Sequence, residues 1–121
     1  MPRALILTVG NDPSLMATRV LVLRSAGYLV ESAFSTKEAV SQLRSSDFDL
    51  VALCHSMSPE DRDRLTGLIR ISGSSIPVVT IAPYSDHLSN ACIDGVIDST
   101  PEGLLDGVET ALQRAPKWTS T

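Results

Sequence analysis

Four side chains in this sequence have the chemistry of soft ligands or nucleophiles: Cys54, His55, His87 and Cys92. Cys54 closes an apolar run, and Ser58-Pro59-Glu60-Asp61 beyond it reads as the start of a helix. A strand tip that opens onto a helix is where α/β proteins keep reactive groups. A thiol placed there becomes a nucleophile or a redox sensor when a cation or a helix N-terminus depresses its pKa. His55 and the helix start at Ser58 are features of that kind. Successive strand residues, however, point to opposite faces, so His55 need not approach Cys54. Cysteine at the end of a core strand is also a common buried apolar filler. The packing role carries more weight.

The same four residues make a poor metal site, because their spacing contains no CxxC and no HxxxH. No metal and no cofactor is expected. Asn11 and Asp12 have groups that a small ligand would use, yet Asx residues at this point also turn a chain locally into a helix. The densest charge cluster, Glu60 to Arg64, reads as a solvated helix face with weak internal pairs.

The elements that would position these residues are well marked. Apolar, β-rich runs occur at Ala4–Val9, Tyr28–Phe34, Asp49–Cys54, Ile76–Ala82 and Gly95–Asp98. The first and fourth are almost continuously apolar, as expected of strands covered on both faces. The second is more mixed and belongs nearer an edge. Between them stand explicit helix starts: Asp12-Pro13, Ser58-Pro59 and Thr100-Pro101 each pair an N-cap with proline at the first helical position. Ser35 with Glu38 forms a capping box. Met16, Val20 and Leu23 share one helix face, as do Ala39 with Leu43, Leu65 with Ile69, and Leu104 with Val108 and Ala111. Gly27 and Gly73 stand where helices should stop. Residues 83–92 hold at most a short helix. Strand–helix alternation of this kind predicts right-handed crossovers and a parallel sheet covered on both faces, with its functional edge at the strand C-termini.

Bulk properties fit that architecture. The 121 residues are 43% hydrophobic and carry a formal net charge of −4, which suits a single folded domain with a real core. There is no basic footprint for nucleic acid and no polybasic patch for an anionic membrane. No segment has the length of a membrane span or the core of a signal peptide. Two cysteines do not make a secretory disulfide framework. A cytoplasmic protein is the expectation, with one domain over residues 1–114 and a polar tail over 115–121 that carries an isolated Trp118.

The stretches "ALILTVGNDP", "LRSAGYLVESAFSTKEAVSQL", "DFDLVALCHSM", "PVVTIA" and "IDGVIDSTPEGLLDGV" together resemble the receiver domains of two-component response regulators, over roughly residues 4 to 113. The resemblance implies a flavodoxin-like, doubly wound, five-stranded parallel sheet of order 2-1-3-4-5. Receivers bind Mg²⁺ through an acidic pair after the first strand and are phosphorylated on an aspartate that ends the third. A Thr or Ser after the fourth strand and a Lys after the fifth hold the phosphoryl oxygens.

Carried over by position, the acidic pair falls on Gly10 and Asn11, with Asp12 in the following slot. The phosphoacceptor falls on Cys54 and the Thr/Ser on Ala82. The Lys falls on Asp98 or Ser99, while the chain's only lysines are Lys37 and Lys117. The switch aromatic falls on Gly95 or Val96. Gly10, Asn11, Asp12, Cys54, Ala82, Asp98 and Ser99 would thus line a degenerate pocket, and the fourth helix would be shortened. The implied protein is a stand-alone pseudo-receiver. It is expected to be no enzyme and to act by protein–protein contact, with self-association through the fourth helix, fifth strand and fifth helix as one form. The residues leave two other readings open. One is a sensor that binds an uncharged small molecule around Gly10, Cys54 and Ala82. The other is a thiol redox switch at Cys54.

Overall fold

A computed structural model describes residues 4–54, 57–72, 76–82, 95–98 and 100–114; of residues 82, 95–98 and 114 it describes the backbone alone. The elements alternate in chain order: β1 (Leu5–Val9), α1 (Pro13–Ser25), β2 (Leu29–Ala33), α2 (Thr36–Ser45), β3 (Leu50–Cys54), α3 (Pro59–Ile71), β4 (Val78–Ala82), β5 (Gly95–Asp98) and α4 (Pro101–Arg114). The strands form one parallel sheet in the order β2-β1-β3-β4-β5. Reversal of the winding direction at β1 places β1 beside both β2 and β3, the arrangement that opens a crevice at the strand C-termini. The short helix expected within residues 83–92 and the stop expected at Gly73 lie outside the described residues, as does the tail with Trp118.

The helix starts form for the reasons legible in their side chains. The Asp12 carboxylate accepts from the backbone N–H groups of Ser14 and Leu15 at 3.0 and 3.3 Å. Ser58 accepts from Asp61 N–H, and Thr100 from Gly103 N–H, both at 3.1 Å. At α2, Ser35 accepts from Glu38 N–H, while the Glu38 carboxylate reaches back to the N–H of Phe34, one residue before the cap. α1 stops at Gly27, whose φ of +97° few L side chains tolerate.

Two apolar clusters sandwich the sheet. Leu7, Val9, Val51, Leu53 and Val78 face Ala39, Leu65 and Ile69 of α2 and α3. Ile6, Leu50, Ala52, Val79 and Ile81 face Leu23, Leu104 and Val108 of α1 and α4. β3 is buried along its whole length, whereas β2, at the sheet edge, mixes exposed and buried residues. Among the described residues no helix is long and apolar enough to cross a membrane.

Two charged residues depart from the expected pattern. Arg62, within the cluster expected to be a solvated face, is 7% exposed and donates to the Met57 carbonyl at 3.1 Å. On α1 the face turned to the sheet is made by Met16, Arg19 and Leu23, so Arg19 takes the place expected of Val20, which is only half-buried. Leu21 on the other side of the same helix is 69% exposed. α1 therefore carries one cation on its core face and one leucine on its water face, the reverse of the usual placement for each.

Candidate functional site

The C-terminal tips of β1 and β3 bring Gly10 and Cys54 together. Gly10 continues β1 by donating its N–H to the Ala33 carbonyl at 3.1 Å. Cys54 closes β3 and is fully buried. On the parallel ladder Cys54 lies opposite Ile81, and Ala82 lies opposite Asp98, so the backbone places these positions along one edge of the sheet. Asn11 is exposed and Asp12 half-buried. The Asp12 carboxylate is already engaged as the α1 cap. His55, His87, Cys92 and Ser99 lie outside the described residues.

This edge is packed rather than hollow where it is described. The Cys54 thiol donates to the Met16 thioether at an Sγ–Sδ distance of 3.4 Å. A methyl group added to Gly10 would come within 2.8 Å of Cys54 Cβ and 3.1 Å of both Cys54 Sγ and Met16 Sδ. The neutral cleft expected between Gly10 and Cys54 is thus filled by two sulfur atoms and a glycine backbone. The strand tips are closed at this point by apolar packing.

One charged side chain completes the site, and the sequence reading passed over it. Arg19 is 4% exposed. Burial is the largest influence on the Cys54 thiol and pushes its pKa up. The Arg19 charge opposes that rise without cancelling it, and the Asp12 charge adds to it. Nη1 of Arg19 is buried and has no acceptor among the described residues. The spacing Met16, Arg19, Leu23 is the available signal: i, i+3 and i+7 share a helix face whatever the residue type.

The raised Cys54 pKa has a measurable consequence. A thiol that ionises later in the folded than in the unfolded protein contributes stability that is intact below its ordinary pKa and is lost as pH rises through the native value. Unfolding free energy is therefore expected to fall as pH climbs past about 9, where the unfolded cysteine ionises first. Tyr28, raised by burial and by Glu109 from 10.0, adds a second loss at higher pH. Urea titrations between neutrality and alkaline pH should show a shallower decline for Cys54→Ala than for the parent. Parallel declines would mean that the thiol is not held neutral.

The described residues provide little for other chemistry. None of them forms a group of three or more His, Cys, Asp or Glu able to hold a metal. A separate groove of about 610 Å³ lies between α2 and α3, lined by Val40, Leu43, Phe48, Leu65, Leu68 and Ile76 among others. It borders the starts of β3 and β4, away from the Cys54 edge, and is mainly apolar.

No protein-family model matches the chain, and no curated protein matches it significantly. Solved structures do match. The chemotaxis response regulator CheY4 of Vibrio cholerae is similar at 19% identity and a TM-score of 0.79, over 91% of this chain and 99% of that one. A CheY-like receiver domain from Methanospirillum hungatei is similar at 20% identity and a TM-score of 0.79, over 93% and 95%. The response regulator TrrA of Thermotoga maritima, solved in complex with Mg²⁺ and BeF, is similar at 22% identity and a TM-score of 0.77, over 89% and 98%. Near-complete superposition at so low an identity is a likeness of architecture, and this chain has the CheY-like, flavodoxin-type fold of response-regulator receivers.

Proposed function

We propose that this protein is a pseudo-receiver: a signalling module of receiver shape that docks onto a protein partner without being phosphorylated. The observation that supports it most directly is the packed Gly10–Cys54–Met16 contact. A receiver needs there an aspartate to accept a phosphoryl group and carboxylates to hold Mg²⁺. This chain has a buried thiol, a thioether and a glycine. With the Asp12 carboxylate committed to the α1 cap and none at positions 10, 11 or 54, the edge has little affinity for Mg²⁺, and without an aspartate at position 54 no acyl phosphate forms. Ala82 and Asp98 or Ser99, at the positions of the phosphoryl-binding hydroxyl and lysine, extend the same loss. The module is not an enzyme, and its partner belongs to a signalling pathway. The face that includes β5 and α4 is its candidate for self-association, and the cytoplasm is its expected compartment. The small-molecule reading is weakened by the absence of room beside Gly10.

The test is a pair of measurements on the intact protein. Incubation with Mg²⁺ and acetyl phosphate should leave its mass unchanged, with no gain of the mass of a phosphoryl group. Immobilised protein should then retain the same specific partner from its source lysate with Mg²⁺ and acetyl phosphate or with a chelator. A partner held only under phosphorylating conditions would refute phosphorylation independence, and a blank under crosslinking would refute docking.

A further inference from the structure

β2 lies at the edge of the sheet, so half of its main-chain groups face away from β1. The inward set is marked by its bonds. Leu29 donates its N–H to the Ala4 carbonyl at 3.0 Å, and the Ala33 carbonyl accepts from Gly10 N–H at 3.1 Å. The Glu31 carbonyl accepts from the Thr8 hydroxyl at 3.2 Å. Strand residues alternate, so Val30, Ser32 and Phe34 address the outside. Two of the outward groups are held by charged side chains. The Val30 carbonyl accepts from the Arg24 guanidinium at 3.0 Å, and the Phe34 N–H donates to the Glu38 carboxylate at 2.6 Å. Between them, no described group bonds to the outward N–H or C=O of Ser32. A bare strand edge is a template for another strand, and charged side chains are a usual means of closing it.

The placement of those two side chains picks out the partner. An antiparallel copy of β2 centred on Ser32 sets Ser32 opposite Ser32 and Val30 opposite Phe34. The serine pair exchanges both of its main-chain bonds. Two residues away on either side, the Phe34 N–H of one copy meets the Val30 carbonyl of the other. Those are the two groups that Glu38 and Arg24 hold in the single copy. Glu31 falls opposite Ala33, so no like charges meet. Donors and acceptors thus match themselves under a two-fold axis, which a strand of unrelated sequence need not do. The side chains agree with this pairing. Val30 belongs to the cluster beneath α1, and Phe34, four residues on, shares its face of the strand. Phe34 is 46% exposed, and Leu21, on the flank of α1 that carries Arg24, is 69% exposed. Pairing places Phe34 of one copy beside Val30 of the other and covers an aromatic ring that water now meets.

We propose that the β2 edge is a site for a second copy of this chain, paired antiparallel about Ser32 into one continuous sheet, and that Arg24 and Glu38 are latches that let go when it forms. The inference goes beyond the docking function and uses the edge of the sheet opposite β5. Each latch is a charge-assisted bond, stronger than the neutral main-chain bond that replaces it. The latches therefore favour the single copy. Against them, the exchange keeps the Val30 and Phe34 groups bonded and adds the new bonds at Ser32. Arg24 and Glu38 are themselves exposed, so their released charges return to water at little cost. One comes from α1 and the other from α2, on opposite faces of the sheet, and each can swing away on its own side.

Sedimentation velocity of the full chain over a concentration series tests this. Arg24→Ala should dimerise at least about tenfold more tightly than the parent, because one charge-assisted bond no longer has to break in each copy. Glu38→Ala should move in the same direction, although it also loses half of a capping box; Arg24→Ala serves if that variant does not fold. Ser32→Pro added to Arg24→Ala should return it to a monomer. Proline cannot donate the outward N–H, and it is tolerated on an edge where that group has no partner in the single copy. Amide exchange reads the register without the proline variant: Ser32 N–H should exchange freely in the parent monomer and be protected in the Arg24→Ala dimer. The proposal is overturned if neither latch variant associates more tightly than the parent. It is equally overturned if the proline leaves the association intact, or if Ser32 exchanges as fast in the dimer as in the monomer.

Discussion

Gly10→Ala is expected to destabilise the protein by about 1–3 kcal/mol, the usual range for overpacking a tight core. The added methyl would meet Cys54 Cβ at 2.8 Å, a separation that real side chains avoid, with Cys54 Sγ and Met16 Sδ at 3.1 Å. The two sulfur contacts can relax by rotation, but Cys54 Cβ is fixed to a strand whose residues are all buried. Gly10→Asp, which would put a carboxylate where receivers have the first of their acidic pair, should cost more. It adds a desolvated charge to the same overlap. Cys54→Ala should rescue Gly10→Ala only in part, since it removes Sγ and keeps Cβ. Urea midpoints of the four proteins test this. A Gly10→Ala protein as stable as the parent would show that the edge has room, and would restore the small-ligand reading.

Cys54→Asp should be tolerated in the presence of Arg19 and ruinous without it. A carboxylate at the end of β3 is buried on all sides, and an unpaired buried charge costs several kcal/mol. The parent already holds a guanidinium with an unfilled N–H at that place, so the new carboxylate would find a partner waiting. Against that gain stands the bulk of the carboxyl group beside Met16, worth about 1–3 kcal/mol. The cycle of Cys54→Asp, Arg19→Met and the double variant, followed by denaturant unfolding, should give a coupling of about 3–5 kcal/mol. Arg19→Met alone should be close to neutral or stabilising, because it replaces an under-satisfied buried cation with an apolar side chain of similar reach. A coupling below about 0.5 kcal/mol would mean that the guanidinium does not attend to position 54.

The fold was legible because each local signal agreed with the next. Asp12-Pro13, Ser35 with Glu38, and Ser58-Pro59 mark helix starts by side-chain chemistry that acts within three or four residues, and such signals survive any tertiary context. The near-continuous apolar runs of β1 and β4 and the mixed run of β2 reflect how many faces the sheet covers. The site was legible in part. That Gly10, Asn11 and Cys54 occupy one edge follows from the order of elements. Whether the edge is hollow or filled does not, because it depends on how far the Met16 thioether reaches, which spacing alone cannot fix. Arg19 was missed for a related reason. A charged residue on a helix is ordinarily assigned to solvent, and α1 has Leu21 exposed and Arg19 buried. Arg62 repeats the lesson, since it is buried and its guanidinium donates to the Met57 carbonyl, a main-chain partner that helix spacing does not announce.

The central claim, that this receiver fold works without phosphorylation, is tested most directly by Mg²⁺ with beryllofluoride, a mimic of the bound phosphoryl group. Backbone amide spectra of the intact protein should be recorded through a titration of both together. The amides of Gly10, Cys54 and Ala82 are expected to stay in place, beyond small shifts that scale with ionic strength. Saturable shifts clustered at those three positions would show a working phosphoryl pocket and contradict the account.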